Sequence, residues 1–368
     1  MKEILNQLVY FGLLQSVFLI MIYFLSAKKG KNINKYMLIL IMIVSIGLIG
    51  KVIHSSEIYG KNFRFIAFSE FSALLFGPTF YLFTQSVLHK AKFTYSDLRH
   101  YIPGAIYSLF IVIYFMIPSD AVISSRIKTG ELQQVIYGCH AIGLLVNIIY
   151  WYLGLKVFLN FEKQMKNEAS FEVHFRFLRS FLFLTGFCLL VWTVLFVTSL
   201  LGFPMLERNA RPYIWILLVL IILFITYYLM LQPEVLRSIP EVKTKKYQQS
   251  KLSLKDMERL KLQLDKLMLE KKPYLNNKLL KTELAELLGV NSPELARLLN
   301  ENVGMNFFEY VNYYRIKEFV NLAKTEKGRQ LTFYGLAQEA GFNSKTTFNK
   351  SFKKLMGVSP SVYFNKNI

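Results

Sequence analysis

The stretch GFNSKTTFNKSFKKLMGVSPSVY, residues 341–363, decides how the C-terminal third of the chain is read. Gly341-Phe342-Asn343 is a turn whose glycine is free to take the left-handed region, and Ser344 is a helix N-cap. Phe348 and Phe352 stand one helical turn apart and so face inward together. Lys345, Thr346, Asn349, Lys350 and Lys353 project from the other side. Gly357-Val358-Ser359-Pro360 ends the helix near Leu355, and Tyr363 falls in a last short turn. Just upstream, Thr332–Ala340 predicts a helix capped by Thr332, which completes a helix, a three-residue turn and a second helix.

The same pattern stands earlier in the chain. Lys281–Leu288 predicts a short helix, Gly289-Val290-Asn291 a turn, Ser292 a cap and Pro293 a first helical turn. The helix to Asn302 turns Leu295, Leu298 and Leu299 inward and exposes Glu294, Arg297 and Glu301. Between the two motifs, Asn306–Lys324 predicts a long helix with Phe308, Val311, Tyr314, Ile316, Phe319 and Leu322 as apolar surface. One helix-turn-helix pattern is a weak signal; two joined by one apolar helix form a strong one.

Residues 254–368 resemble the AraC/XylS family of bacterial transcription regulators. Gly341-Phe342-Asn343-Ser344, Phe348, Phe352-Lys353-Lys354, Gly357, Ser359-Pro360 and Tyr363 carry the resemblance in the second motif. Leu284-Ala285, Leu288-Gly289-Val290, Ser292, Leu295 and Arg297 carry it in the first, and Tyr310, Arg315 and Ile316 in the connecting helix. The second helix of each motif is the one that enters a major groove. The expected DNA-binding residues are therefore Ser292, Glu294 and Arg297 in the first motif, and Ser344, Lys345, Thr346, Asn349, Lys350 and Lys353 in the second. Ser292 and Ser344 are expected to be helix caps first and DNA contacts second. Lys350 stands where the family often has Arg, which keeps a phosphate contact and loses bidentate reading of guanine. Phe364 likewise replaces a frequent Arg. From Arg329 onward there are 6 basic residues and 1 acidic one, so the second motif is expected to anchor electrostatically. The first would add specificity through Arg297 and through Glu294, which can accept from cytosine N4.

Upstream of the motifs, Ser253 and Asp256 form a capping-box pattern, and Met257, Leu260, Leu264 and Leu267 recur at helical spacing until Pro273. Residues 233–250, with Pro233, Pro240 and the polar Lys243–Ser250, read as a cytoplasmic linker whose lysines can lie against anionic headgroups. The rest is a different material. The whole chain is 53% hydrophobic and 18% charged, below the roughly one quarter usual for soluble domains. Residues 233–368 concentrate 24 of the 44 Lys+Arg and 14 of the 24 Asp+Glu. The first 232 residues instead hold seven apolar runs of spanning length: Leu8–Leu25, Tyr36–Ile53, Phe71–Leu88, Tyr101–Ile117, Val135–Leu159, Phe181–Phe203 and Tyr213–Leu231. Gly77-Pro78 interrupts the third, where proline is expected to kink the helix.

Alternate loops carry 15 against 7 basic residues, and the richer set includes Lys28, Lys29, Lys31, Lys35, Lys90, Lys92, Arg99, Lys163 and Lys166. Lys and Arg are retained on the cytoplasmic side, so the N-terminus is expected outside and the basic C-terminal region inside. Lys51 and Lys156 can snorkel, and His54 and Glu70 belong at the outer interface. His140 and Asn147, two helical turns apart, would either line a ligand cavity or bond between helices.

The expected architecture is all-α. It comprises a seven-span transmembrane sensor (1–232), a linker (233–250) and a double helix-turn-helix domain (251–368). The expected partners are double-stranded promoter DNA, the lipid bilayer, a small-molecule or protein signal, and a second copy of the chain at paired sites. A seven-span N-terminus with the linker Lys246-Tyr247-Gln248-Gln249-Ser250 also resembles the membrane-bound branch of the family. No HExxH, P-loop or nucleophile elbow occurs, and no catalytic residue, cofactor or metal is expected. The rival reading is a membrane receptor or transporter whose basic helical tail binds protein or lipid headgroups.

Overall fold

The computed structural model describes residues 2–28, 34–56, 64–89, 93–171, 176–231 and 254–366. The linker 233–250, Ser253, Lys29, Lys31, Lys90 and Lys92 lie outside the described residues. The chain divides into two compact units, Met1–Phe158 with Phe175–Pro240, and Leu159–His174 with Glu241–Ile368.

The first unit holds α1 (Lys2–Lys28), α2 (Lys35–Ser56), α3 (Arg64–Glu70), α4 (Phe76–His89), α5 (Ile102–Ile111), α6 (Asp120–Lys128), most of α7 (Glu131–Glu168), α8 (Arg176–Leu200) and α9 (Pro204–Leu231). A 3-10 helix, Tyr95–Tyr101, leads into α5, and a π turn, Val112–Met116, follows it. Among the described residues, six helical segments are long and apolar enough to cross a membrane: Glu3–Leu25, Lys35–Ser55, Tyr95–Met116, Glu131–Glu168, Arg176–Leu200 and Tyr213–Met230.

The third expected span is not one kinked helix. Its first five residues, 71–75, are turns that separate the short α3, which lies ahead of the expected span, from α4, which forms the rest of it. Pro78 sits in the first turn of α4, where its missing N–H would have had no partner. One carbonyl of the broken backbone is satisfied from α7: Asn147 Nδ2 donates to Ala73 O at 2.6 Å, as well as to Gly143 O of its own helix at 2.7 Å. Gly77 makes room for it, because a Cβ there would lie 2.9 Å from Asn147 Oδ1. Asn147 thus bonds between helices, as one of its two sequence readings held.

His140 faces a cavity of about 310 Å³ that Glu70, Tyr107, Asn147, Trp192 and Ser199 also line. Its Nε2 is 3.8 Å from Glu70 Oε1, and Tyr107 OH donates to Glu70 Oε2 at 3.2 Å. The core of this unit is aromatic where α4, α8 and α9 meet. Phe181 stacks on Phe224 at 5.7 Å between centroids and lies 5.4 Å from Phe80. Small polar side chains link helices as well: Gln15 Nε2 donates to Thr226 Oγ1 and Ser45 Oγ to Ser16 Oγ. Large apolar side chains point outward, among them Leu14 at 70%, Phe183 at 79% and Leu190 at 60% exposure.

The second unit contains α10 (Leu254–Glu270), α11 (Lys281–Leu288), α12 (Ser292–Arg297), α13 (Phe307–Ala323), α14 (Lys327–Gln330), α15 (Phe333–Glu339), α16 (Lys345–Met356) and α17 (Pro360–Lys366). It has two hydrophobic cores, and α13 serves both. Phe307, Tyr310 and Val311 pack with Leu264, Leu284, Leu295 and Leu298. One turn later, Ile316 and Phe319 pack with Leu336, Phe342, Phe348 and Phe352. Each such fully buried side chain contributes roughly 1.5–3 kcal/mol, so the connecting helix ties the two halves into one domain.

Candidate nucleic-acid interface

The first motif is α11, a turn through Gly289 in the left-handed conformation (φ 74°), and α12. Ser292 is not the cap. Asn291 is the N-cap: its Oδ1 accepts from Glu294 N at 2.9 Å, and Glu294 Oε2 accepts from Asn291 N at 3.1 Å. Asn and Ser cap about equally well, and only a cap at 291 places a glutamate three residues on to return the bond. With Ser292 as cap that position would fall to Leu295. Ser292 therefore begins α12 half-buried, beside Glu294 and Arg297 in the same state. After Arg297 the helix loosens into a π turn, Leu298–Val303. Arg297 Nε donates to Glu301 Oε2 at 2.8 Å.

The second motif is α15, capped by Thr332 Oγ1, which accepts from Gly335 N, followed by the turn at Gly341 and by α16. Gly341 has φ 95°, and a Cβ there would lie 2.3 Å from Tyr274 O, so no side chain fits. Ser344 caps α16, its Oγ accepting from Thr347 N at 3.4 Å. Phe348 and Phe352 lock the inner face against Phe319 of α13, at 4.6 and 5.7 Å between centroids. The outer face then follows from helical geometry: Lys345, Thr346, Asn349, Lys350 and Lys353 are all exposed, and only Ser344 is half-buried. Lys354, one step round the helix, pairs with Glu309 of α13. Burial disfavours the Glu309 carboxylate, but the Lys354 ammonium and the Asn306 cap outweigh it and hold that carboxyl below its ordinary range.

Residues 284–366 match the family described as helix-turn-helix domain, a match that runs from α11 through α17 and takes in both motifs. This segment is similar to helix-turn-helix domains. The chain is also 34% identical, over 89 residues, to the HTH-type transcriptional activator AarP of Providencia stuartii. That similarity covers 24% of this chain and 64% of the relative's length. No solved structure matches the chain.

The two groups of expected contacts differ in exposure. On α16 a row of three lysines with Thr346 and Asn349 stands clear of the core. On α12 the charges are already engaged, Glu294 with the helix start and Arg297 with Glu301. Among the described residues no three His, Cys, Asp or Glu side chains lie close enough to hold a metal ion.

The sequence reading placed Arg315 in the connecting helix without assigning it a task. It is 1% exposed, at the junction of the two cores. Its Nε donates to Tyr274 O at 2.8 Å, Nη2 to Asn276 O at 2.7 Å and Nη1 to Asn312 Oδ1 at 3.1 Å. Its guanidinium carbon lies 5.8 Å from the centre of the Phe342 ring. Burial pushes this guanidinium below its ordinary value. The sequence held a signal for it, since Val311, Arg315 and Phe319 share one face at four-residue spacing and only a fully hydrogen-bonded arginine belongs among them.

Proposed function

We propose that this protein is a membrane-anchored transcription regulator whose AraC-type double helix-turn-helix domain binds specific promoter DNA in the cytoplasm and whose membrane unit receives the signal. The observation that carries the reading is the outer face of α16. A helix of a helix-turn-helix domain whose inner side is fixed by Phe348 and Phe352 presents Lys345, Thr346, Asn349, Lys350 and Lys353 together. These groups suit phosphate oxygens and base edges in a major groove.

Lys345, Lys350 and Lys353 supply phosphate contacts, and Thr346 and Asn349 read base edges, with asparagine suited to adenine. Ser344 and Ser292 stand at helix starts and reach phosphate as secondary contacts. Arg297 and Glu294 read sequence from α12; for Arg297 this means exchanging Glu301 for a base. The name of the relative, a transcriptional activator, favours activation of transcription over repression.

Membrane anchoring is supported by the six long apolar helices and by the outward-facing Leu14, Phe183 and Leu190, which only lipid would cover without cost. The broken pair α3–α4 makes the seventh crossing. Nine residues of α4 are buried among its neighbours, the setting in which irregular backbone is tolerated at membrane depth. Seven crossings, with basic residues retained inside, put the N-terminus outside and the helix-turn-helix domain in the cytoplasm, at the inner membrane of a bacterium. The cavity beside His140 and Glu70 is of a size to take a small-molecule signal. Two copies of the chain would bind paired sites, and the protein works without catalysis or cofactor.

The test is DNA affinity of the full-length protein in lipid nanodiscs. The expected result is a preferred sequence bound at least 10³-fold more tightly than a scrambled one. Equal affinity for any polyanion would favour the rival, a basic tail that binds lipid headgroups or protein.

A further inference from the structure

The second unit contains a segment that the sequence assigns to the loop after the fifth span. Glu168-Ala169-Ser170 is seated in the helix-turn-helix domain like a short extra strand. Ala169 and Leu280 form an antiparallel bridge, and Ser170 N donates to Leu279 O at 3.1 Å. Ser170 Oγ donates to the same carbonyl at 2.8 Å. Arg315 closes on it from below, Nη1 donating to Ser170 O at 2.6 Å and Nη2 to Ser170 Oγ at 3.0 Å. Lys281 Nζ pairs with Glu168 Oε1 at 2.5 Å, and its side chain is 6% exposed. Ala169 and Ser170 are both fully buried.

We propose that Glu168-Ala169-Ser170 is a latch through which the membrane unit sets the DNA affinity of the helix-turn-helix domain, and that the latched state is the one that binds DNA. The segment touches the start of the first motif directly and reaches the second only through Arg315. Leu279, Leu280 and Lys281 open the first, and Arg315 lies under the Gly341-Phe342 turn of the second. With Ser170 in place the guanidinium has acceptors on every side and holds Tyr274, Asn276 and the second turn in one arrangement. Without it, buried N–H groups lose their acceptors and must find others by shifting those same elements. Two recognition helices that must enter two grooves together need that arrangement fixed beforehand. The latch continues directly from α7, a single helix of 38 residues, about 57 Å at 1.5 Å per residue, against the ~30 Å of a bilayer core. α7 is unbroken from Glu131 to Glu168 and leads straight into Ala169 and Ser170, so it is the element through which the signal would arrive.

This inference rests on the proposed DNA binding, and the experiment separates the two. DNA affinity is measured on the full-length protein in nanodiscs for the parent chain, Glu168→Lys, and Glu168→Lys combined with Lys281→Glu. A disulfide joining Ala169→Cys to Leu280→Cys, with Cys139 and Cys188 replaced by alanine, locks the latch shut. Glu168→Lys should weaken binding roughly tenfold, within the 5–150-fold span of typical coupling. The reciprocal exchange should restore it, and the locked protein should bind at least as tightly as its reduced form. Unchanged affinity in Glu168→Lys, no restoration by the exchange, or weaker binding when locked would each overturn the latch. A parent chain without sequence preference would instead overturn the DNA-binding reading itself.

Discussion

Three side chains separate structural from functional roles. Lys345 and Asn349 touch nothing in the core, so replacing both by alanine should leave thermal unfolding within about 0.5 kcal/mol of the parent. The same change should lower specific DNA affinity in a binding titration by the roughly 1–3 kcal/mol of the Asn349 base contact, with a further loss from the Lys345 phosphate contact. Arg315→Ala has the opposite profile. It strips Tyr274 O and Ser170 O of the Arg315 donor and leaves Asn276 O with Leu279 N alone. At about 1–3 kcal/mol for each orphaned buried group, it should cost upward of ~2 kcal/mol in a denaturant melt. Asn291 offers a sharper comparison, because the cap expected at Ser292 falls on it instead. Asn291→Ala should destabilise by about 1 kcal/mol, while Ser292→Ala should cost only a few tenths. The reverse order would return the cap to Ser292. Glu309 adds a pH dependence. Its carboxyl is held low by Lys354 and Asn306, so the pair stabilises the fold at neutral pH. That contribution is lost as pH falls through the lowered value. Lys354→Ala should flatten the acid limb of the stability curve below the ordinary glutamate range.

The helices of the second unit were legible because each announces itself twice, by periodicity and by its stops. Thr332, Ser344, Gly289 and Gly357 act where the sequence placed them, as caps and left-handed turns. The face of α16 was readable for the same reason, since two phenylalanines four residues apart fix which way five polar side chains point. What periodicity could not convey is partnership across distance. The bond from Asn147 to Ala73 and the grip of Arg315 on Ser170 join positions 74 and 145 residues apart. The break between α3 and α4 was not legible, because Pro78 marks the first turn of α4 and not the turns at 71–75, and only packing against α7 shows where the freed backbone finds its bonds. Asn147→Leu should therefore disturb the membrane unit more than an average lipid-facing change. We expect a drop of several degrees in the melting temperature of the detergent-solubilised protein. At the same scale, α16 makes an electrostatic prediction. Each of Lys345, Lys350 and Lys353 replaced by alanine should reduce the slope of log affinity against log salt by about 0.9. Substitutions at Thr346 should leave the slope unchanged and alter base preference.

For the molecule as a whole, the proposed anchoring of a basic helical domain to a membrane restricts how it can work. A tethered domain meets only the DNA that comes to the membrane, so on-rate depends on long-range attraction by the basic face and falls steeply with salt. The central claim is that the full chain, in its membrane, occupies particular promoters. The most direct measurement is genome-wide capture of DNA bound to the full-length protein in its own membrane, beside Lys345→Ala/Asn349→Ala. A small set of sharp sites sharing a sequence motif, and lost in the double variant, is the predicted result. Diffuse recovery that the double variant leaves unchanged would contradict it and make the basic face a surface for lipid or protein.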